Sequence, residues 1–246
     1  MRLLINTGGR GERLMPLTKD IPKPLVKIAD KPILHHLINW AKKQDIKNII
    51  MLNGYKAEKI IEYFKDGKEF DINIAHSNEP YPLGSGGSIK FAKPHINNEF
   101  AYISGDLLCA IDFKKMLEFH KDNNADITVL VHKSSHLHDS DILKIDEEGK
   151  VEKFVSKHDD HTGAGDLSNA GLCIVHPKIF DLMDKEVFTL ETYLYPKIIQ
   201  NNLRFFAYNT DEFIEDMGTF DRLKKCEDFM KQNPHLFSLS SNNFIV

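Results

Sequence analysis

"TGGRGERLMPLTKDIPKP", residues 7–24, follows directly on the apolar opening "RLLIN" (2–6). The opening reads as a buried strand, and the stretch behind it gathers glycines, arginines and prolines. Glycines after a first strand let the backbone come close to a ligand, and their amides can cradle phosphate oxygens. Arg10 or Arg13, together with Lys23, would supply positive charge for a triphosphate. Pro22 and Pro24 hold Lys23 in an extended segment, so its place is set by its neighbours. The stretch therefore reads as a flexible grip with a rigid hook. A dinucleotide loop is disfavoured because Leu14 stands where the third glycine belongs, and a Walker A loop because no Gly-Lys-Ser/Thr follows. A solvated loop would not account for the whole pattern.

Working outward, "NIIMLN" (48–53), "INIAHS" (72–77) and "FAYIS" (100–104) read as further strands. Between them, "KPILHHLINWAKK" and "AEKIIEYFKDG" carry apolar residues at helical spacing, with Pro32 suited to a first turn and Gly67 closing the second helix. Strands alternating with single helices predict βαβ units and an α/β fold with a mixed, mostly parallel, Rossmann-like sheet flanked by helices. After residue 115 the pattern changes. "DITVLVHK", "DILKIDEEGKVEKFV", "AGLCIVH" and "RFFAYN" predict strands, the second being a hairpin turned at "DEEGK". "GTFDRLKKCEDFMKQN" predicts a helix capped by Thr219, with Leu223, Cys226, Phe229 and Met230 facing inward. One domain over 1–236 is expected, with a nucleotide-binding half (1–115) and a substrate half (116–236). Residues 237–246 are left as a tail or a contact between copies of the chain. Ligands of open α/β sheets bind beyond the carboxyl ends of the strands, where Asn6 to Arg13, Asn53, Asp106 and Asn169 are expected to lie.

The 246 residues carry a net charge of −4, which argues against a nucleic-acid partner. Cys109, Cys173 and Cys226 form no CxxC pair and read as buried small hydrophobes in a reducing compartment. The N-terminal "LLI" is interrupted at once by Asn6 and glycines, so no signal peptide is read, and no apolar run reaches a membrane span. A cytoplasmic protein without membrane contact is expected. The His/Asp-rich stretches 132–141 and 157–166 lack the closed ligand set of a zinc site and read as solvated turns.

Gly8 through Leu25, written GGxGxRLxPLTxxxPKPL, resembles the signature of the sugar-1-phosphate nucleotidyltransferases, the nucleotide-sugar pyrophosphorylases. The resemblance runs to about residue 232. It implies that Thr7, Gly8, Gly9 and Gly11 hold the nucleotide and that Arg13 and Lys23 act on its phosphates. "EPYPLGSGGSI" (79–89) resembles the segment whose backbone lies against the base, which brings in Glu79, Gly84 and Ser85. "ISGDLL" (103–108) and "EDMGT" (215–219) match the positions of two Mg²⁺ ligands, Asp106 and Asp216. Asp112, by contrast, reads as the N-cap of "FKKMLEFH". Many relatives carry an acidic residue at the position of Ala110. "FVSK", "LSNAG" and "FTLETYLYP" put Lys157, Asn169 and Glu191 on the sugar phosphate, with Ser156 replacing the usual glutamate and a helix cap the competing role for Glu191.

The resemblance implies attack by a sugar 1-phosphate oxygen on the α-phosphorus of a nucleoside triphosphate, with pyrophosphate leaving. An ionised phosphate needs no general base, so the work is positioning and charge stabilisation. The sequence resembles small bacterial enzymes that use GTP with D-glycero-D-manno-heptose 1-phosphate or mannose 1-phosphate. At this length, the left-handed β-helix domain that some relatives carry is not expected. A cytidylyl- or thymidylyltransferase, a non-catalytic sugar-nucleotide sensor and an NAD-dependent oxidoreductase are the alternatives.

Overall fold

The computed structural model describes residues 1–133, 139–157, 159–162 and 165–237. The expected tail beyond Phe237 lies outside the described residues, as do parts of both His/Asp-rich stretches.

β1 (Arg2–Asn6) shows why the opening forms a central strand. Leu3 and Ile5 point into one apolar cluster and Leu4 into another, and all three are fully buried. Period-2 alternation with both phases apolar is the pattern of a strand covered on both faces. β2 (Lys27–Ile28) and β3 (Lys31–Pro32) form a short ribbon before α1 (Ile33–Lys43). Then come β4 (Asn48–Asn53), α2 (Ala57–Phe64), β5 (Asn73–Asn78), α3 (Gly84–Phe91) and β6 (Phe100–Ser104). β1 pairs in parallel with β4 and β6, and β4 with β5. One cluster, with Leu34, Leu37, Trp40, Ile60 and Phe64, packs α1 and α2 on one face. The other lies on the opposite face, where Ile89 of α3 packs with Phe100 and Tyr102. Each such fully buried side chain contributes about 1.5–3 kcal/mol of apolar burial.

The second half continues the sheet with mixed polarity. It contains β7 (Leu107–Cys109), α4 (Phe113–Asp122), β8 (Ile127–Lys133), β9 (Ile142–Ile145), β10 (Val151–Val155) and β11 (Leu167–Val175). α5 (Tyr195–Gln200), β12 (Phe205–Asn209), β13 (Ile214–Asp216), α6 (Phe220–Gln232) and α7 (Pro234–Phe237) complete it. β11 runs antiparallel to both β6 and β8, and β12 returns in parallel with β8. The β9–β10 hairpin joins β11 where Ser168 meets Ile142. Since β11 opposes β6, its first half, including Asn169, passes beyond the carboxyl end of β6, where Asp106 sits.

Two expected caps are present: the Asp112 carboxylate accepts from the Lys114 N–H at 3.1 Å, and Thr219 Oγ1 from the Arg222 N–H at 3.3 Å. Each such cap contributes roughly 1 kcal/mol. Two details differ from the sequence reading. The strand around "AGLCIVH" begins at Leu167, because pairing with β8 extends it. The glycine-rich "GSGGSIKF" is itself helix α3, although three glycines lower its intrinsic propensity. Tertiary contacts offset that cost: the Gly86 and Gly87 amides both donate to the Phe188 carbonyl at 3.1 Å.

Candidate active site

The opening loop turns at Gly11, whose φ of +70° is a left-handed conformation that glycine adopts without strain. A Cβ on Gly11 would also fall 2.9 Å from Lys23 Cβ, so the grip is folded directly onto the hook. The Thr18 hydroxyl secures that turn by donating to the Gly11 carbonyl at 2.8 Å. Lys23 then emerges from a tight turn over Lys23–Leu25, with Pro22 before it and Pro24 inside it. A cleft of about 500 Å³ lies along Gly9, Gly11, Arg13, Lys23 and Asp106. Arg13, Lys23, Ser104 and Asp106 also line a second cleft of about 480 Å³, so the two form one continuous trough.

Arg10 lies over the Tyr55 ring at 5.6 Å, so of the two candidate arginines it is Arg13 that reaches both clefts. Thr7 uses its side chain within the fold. Its side chain is fully buried and its hydroxyl contacts Asn53 Oδ1 at 2.7 Å and the Leu52 carbonyl at 3.0 Å. It braces β1 against β4, and its N–H also donates to the Leu52 carbonyl at 3.0 Å.

Asp106 and Asp216 come together through the β7–β13 pair. Asp216 lies opposite Leu107 in the antiparallel register, and the Met217 N–H donates to the Asp106 carbonyl at 3.1 Å. Both carboxylates face the trough and each holds a cation: Asp106 that of Lys23, Asp216 that of Arg222 at 2.8 Å. The Asp216 carboxylate also accepts the Gly218 N–H at 2.7 Å. Two hard oxygen donors side by side, Asp106 in the turn before β7 and Asp216 at the end of β13, each already paired with a cation, suit a divalent cation carried in with phosphates. Among the described residues no group of three or more His, Cys, Asp or Glu forms a closed metal cage. Ions that keep waters and phosphate oxygens do not require one.

The second cleft brings Lys157, Asn169 and Glu191 to the same trough. The Lys157 N–H donates to Asp141 Oδ1 and the Asn169 N–H to the Asp141 carbonyl, both at 2.9 Å. One residue thus ties the end of β10 to the start of β11. Glu191 accepts from the Ser85 hydroxyl at 3.1 Å, and that oxygen in turn accepts the Leu190 N–H at 2.9 Å. Burial raises the Glu191 carboxyl above its usual range; the Asp141 charge adds to this, while Ser85 and Lys157 oppose it. The cap of the helical turn Leu190–Leu194 is Thr189, which accepts the Thr192 N–H at 3.1 Å. That removes the competing cap role for Glu191.

Glu79 stands just past β5. Its Oε2 accepts from the Ser88 hydroxyl at 2.7 Å and from the Leu83 N–H at 3.3 Å. Its Oε1 faces the strand-end glycines so closely that a Cβ on Gly54 would approach it to 2.5 Å. Gly84 opens α3 in a left-handed conformation with φ +77°.

Residues 3–234 match the family described as nucleotidyl transferase. The chain belongs to that family. It is 30% identical over 224 residues to the mannose-1-phosphate guanyltransferase 2 of Candida glabrata, covering 89% of this chain and 61% of that protein. It is 30% identical over 250 residues to the mannose-1-phosphate guanyltransferase of Yarrowia lipolytica, covering 99% of this chain and 66% of that one. The chain thus spans less than two thirds of the length of these relatives. Among solved structures, HddC from Yersinia pseudotuberculosis in complex with GMP-PN superposes with a TM-score of 0.79 at 31% identity, over 93% of this chain and 99% of that one. A UDP-glucose pyrophosphorylase at 20% identity shares the fold, with a TM-score of 0.81.

This nucleotidyl transferase also places in the trough residues that sequence reasoning missed. Arg222 extends from the first turn of α6 toward Asp216, Glu215 and Asp139. In the sequence it looks like an ordinary charge on an amphipathic helix; only its place three residues after the capping Thr219 marked the helix start. The three cysteines of the transferase are unpaired and buried, and burial pushes each thiol up to about 12. They are packing groups. Among the described residues no helix is long and apolar enough to cross a membrane.

Proposed function

We propose that this nucleotidyl transferase joins GTP to a sugar 1-phosphate, giving a GDP-sugar and pyrophosphate. The observation that carries the reading is the trough in which Arg13, Lys23 and Asp106 from the nucleotide half meet Lys157, Asn169 and Glu191 from the other half. A sugar 1-phosphate oxygen forms the new bond to the α-phosphorus, and the bond to the pyrophosphate oxygen breaks. No proton is transferred and no enzyme-bound intermediate is required. Lys23 and Arg13 bind the triphosphate, Lys157 brings in the acceptor phosphate, and the half-buried Glu191 accepts from sugar hydroxyls. Asp106 and Asp216 would hold Mg²⁺, which when bound neutralises charge on the phosphates that the two carboxylates would otherwise repel.

Guanine is favoured by the chemistry of Glu79. A carboxylate oxygen facing the strand ends matches the N1–H and 2-amino donors of guanine, whereas adenine presents an acceptor at N1. The names of the guanyltransferase relatives and the GMP-PN complex of HddC support the same base. Mannose 1-phosphate and D-glycero-D-manno-heptose 1-phosphate are the proposed acceptors. Three buried, unpaired cysteines accord with a reducing, cytoplasmic setting. The test is pyrophosphate release with Mg²⁺, pairing GTP, ATP, CTP, UTP and dTTP in turn with mannose, heptose and glucose 1-phosphates. Turnover with GTP and one of the first two sugars is expected. Turnover only with a pyrimidine nucleotide would overturn the base assignment, and triphosphate binding without turnover on any pair would favour a sensor.

A further inference from the structure

Arg13 and Arg222 converge on a single oxygen. Arg13 Nη1 donates to Asp139 Oδ2 at 3.1 Å, and Arg222 Nη2 donates to the same atom at 3.3 Å. Two guanidinium groups focused on one oxyanion make the donor pattern that phosphate oxygens satisfy. The geometry points to Arg222 as a second guanidinium of the polyphosphate site, with the Asp139 carboxylate occupying the place of a phosphate oxygen until substrate displaces it. This deepens the nucleotidyltransfer reading and rests on it.

The two arginines meet near the start of α6, Arg222 from its first turn and Arg13 from the opening loop. The Arg222 side chain is only 12% exposed; Nη1 donates to Asp216 at 2.8 Å and Nε lies 3.8 Å from Glu215, which leaves Nη2 for the trough. Arg13 crosses the turn just before the helix. A Cβ on Gly218 would fall 2.8 Å from Arg13 Nη2, so a side chain there would push the guanidinium away. The turn that carries Asp216 thus tethers Arg222 and leaves room for Arg13 to pass over Gly218, and both guanidinium groups reach the same Asp139 oxygen.

Asp139 is placed differently. It comes from the connection between β8 and β9, its side chain is 48% exposed, and its partner Arg13 is 55% exposed. Ion pairs this open to water contribute little. Two neighbouring guanidinium groups repel, and a half-exposed carboxylate relieves that repulsion without holding them strongly. A polyphosphate carries several charges and offers more oxygens than one carboxylate, so it takes over both guanidinium groups while Asp139 turns to water. Asp139 then acts as an internal competitor that weakens polyphosphate binding, and Arg222 as a binding residue as well as a tether for Asp216.

Binding of inorganic pyrophosphate with Mg²⁺ and without sugar phosphate, measured by titration calorimetry, tests this. Arg222→Gln is expected to weaken pyrophosphate binding about tenfold or more, since it removes a charge-assisted contact. Asp139→Asn, on an exposed loop, is expected to tighten it about threefold to fivefold and to lose most of that gain when combined with Arg222→Gln. Thermal melting of each variant separates a folding defect from a binding defect, and Arg222→Lys, expected to be intermediate, tests the role should the glutamine variant not fold. Unchanged binding in Arg222→Gln, or an equal gain from Asp139→Asn with and without Arg222, would overturn the inference while leaving the transferase reading intact. A wild-type protein that binds no pyrophosphate would overturn both.

Discussion

The Lys23 ammonium rests on the Asp106 carboxylate, joining the hook of the opening loop to the strand-end acid across a sequence separation of 83 residues. Both side chains are more than four-fifths buried, so the lysine enters the trough in a fixed position. Under the proposed function, a triphosphate and its metal would divide this pair between them. Lys23→Ala is expected to lower kcat/KM for pyrophosphate release by roughly 10²–10³-fold, the usual loss for one preorganised charge donor. Steady-state kinetics checks this. Recovery of activity in Lys23→Ala/Asp106→Asn would instead mean that the lysine serves only to neutralise the acid.

Glu79 gives a prediction about the base. Glu79→Gln keeps one acceptor but can turn an NH₂ donor toward the guanine edge. The ratio of kcat/KM for GTP to that for ATP is expected to fall by about 10–100-fold, the scale of one mismatched polar contact. A panel of triphosphates measures it, and an unchanged ratio would remove Glu79 from base selection.

Asp126 carries a stability prediction remote from the trough. It is 2% exposed; it accepts the Arg204 N–H at 2.9 Å and the Arg204 guanidinium at 3.2 Å, and pairs with Lys178. Burial works against its charge, yet Lys178 and the Arg204 donors hold its pKa below the ordinary value. Its stabilisation is therefore present above the ordinary aspartate range and lost as pH falls through the depressed pKa. Asp126→Ala is expected to cost about 2–3 kcal/mol in urea unfolding at pH 7, below the full cost of breaking a buried pair because both cations reach solvent.

His35 contributes to stability in the mildly acidic range. Burial, with the charges of Lys31, His36 and Lys42, lowers its pKa from 6.5 to about 4. Its ring is wedged edge-on against Phe70 at 5.3 Å and Tyr63 at 6.4 Å. Between those pH values the unfolded chain binds a proton that the folded ring refuses, so stability falls as pH drops from 6.5 toward 4. His35→Leu is expected to flatten that slope, by on the order of 1 kcal/mol once solvent screening of a half-buried ring is allowed for. Denaturation at pH 5 and pH 7.5, wild type against variant, measures the difference.

Local pattern determined much of this protein from the sequence alone. The alternating apolar phases of β1, the helical spacing of α1 and α2, the hairpin turn at "DEEGK" and the caps at Asp112 and Thr219 depend on neighbours within a turn or a strand. The grip around Gly11 and Lys23 was legible for the same reason, since it is built within eighteen residues. Asp106, Asp216 and Glu191 were reached through resemblance to a family, as a single acid at a strand end has no local signature.

Tertiary structure decided what lies between distant segments. Thr7 is adjacent to the grip in sequence, yet β4 takes its hydroxyl because the strand pairing turns that face inward. The amides of Gly86 and Gly87 are claimed by Phe188, a partner no local pattern could name. Arg222 reads as a solvated helix charge until the β7–β13 register sets α6 beside Asp106, and Asp139 meets Arg13 across 126 residues. The physical reason is one of range. Backbone conformation is fixed by contacts a few residues apart, whereas the charges of the trough are paired by the register of a sheet assembled from the whole chain.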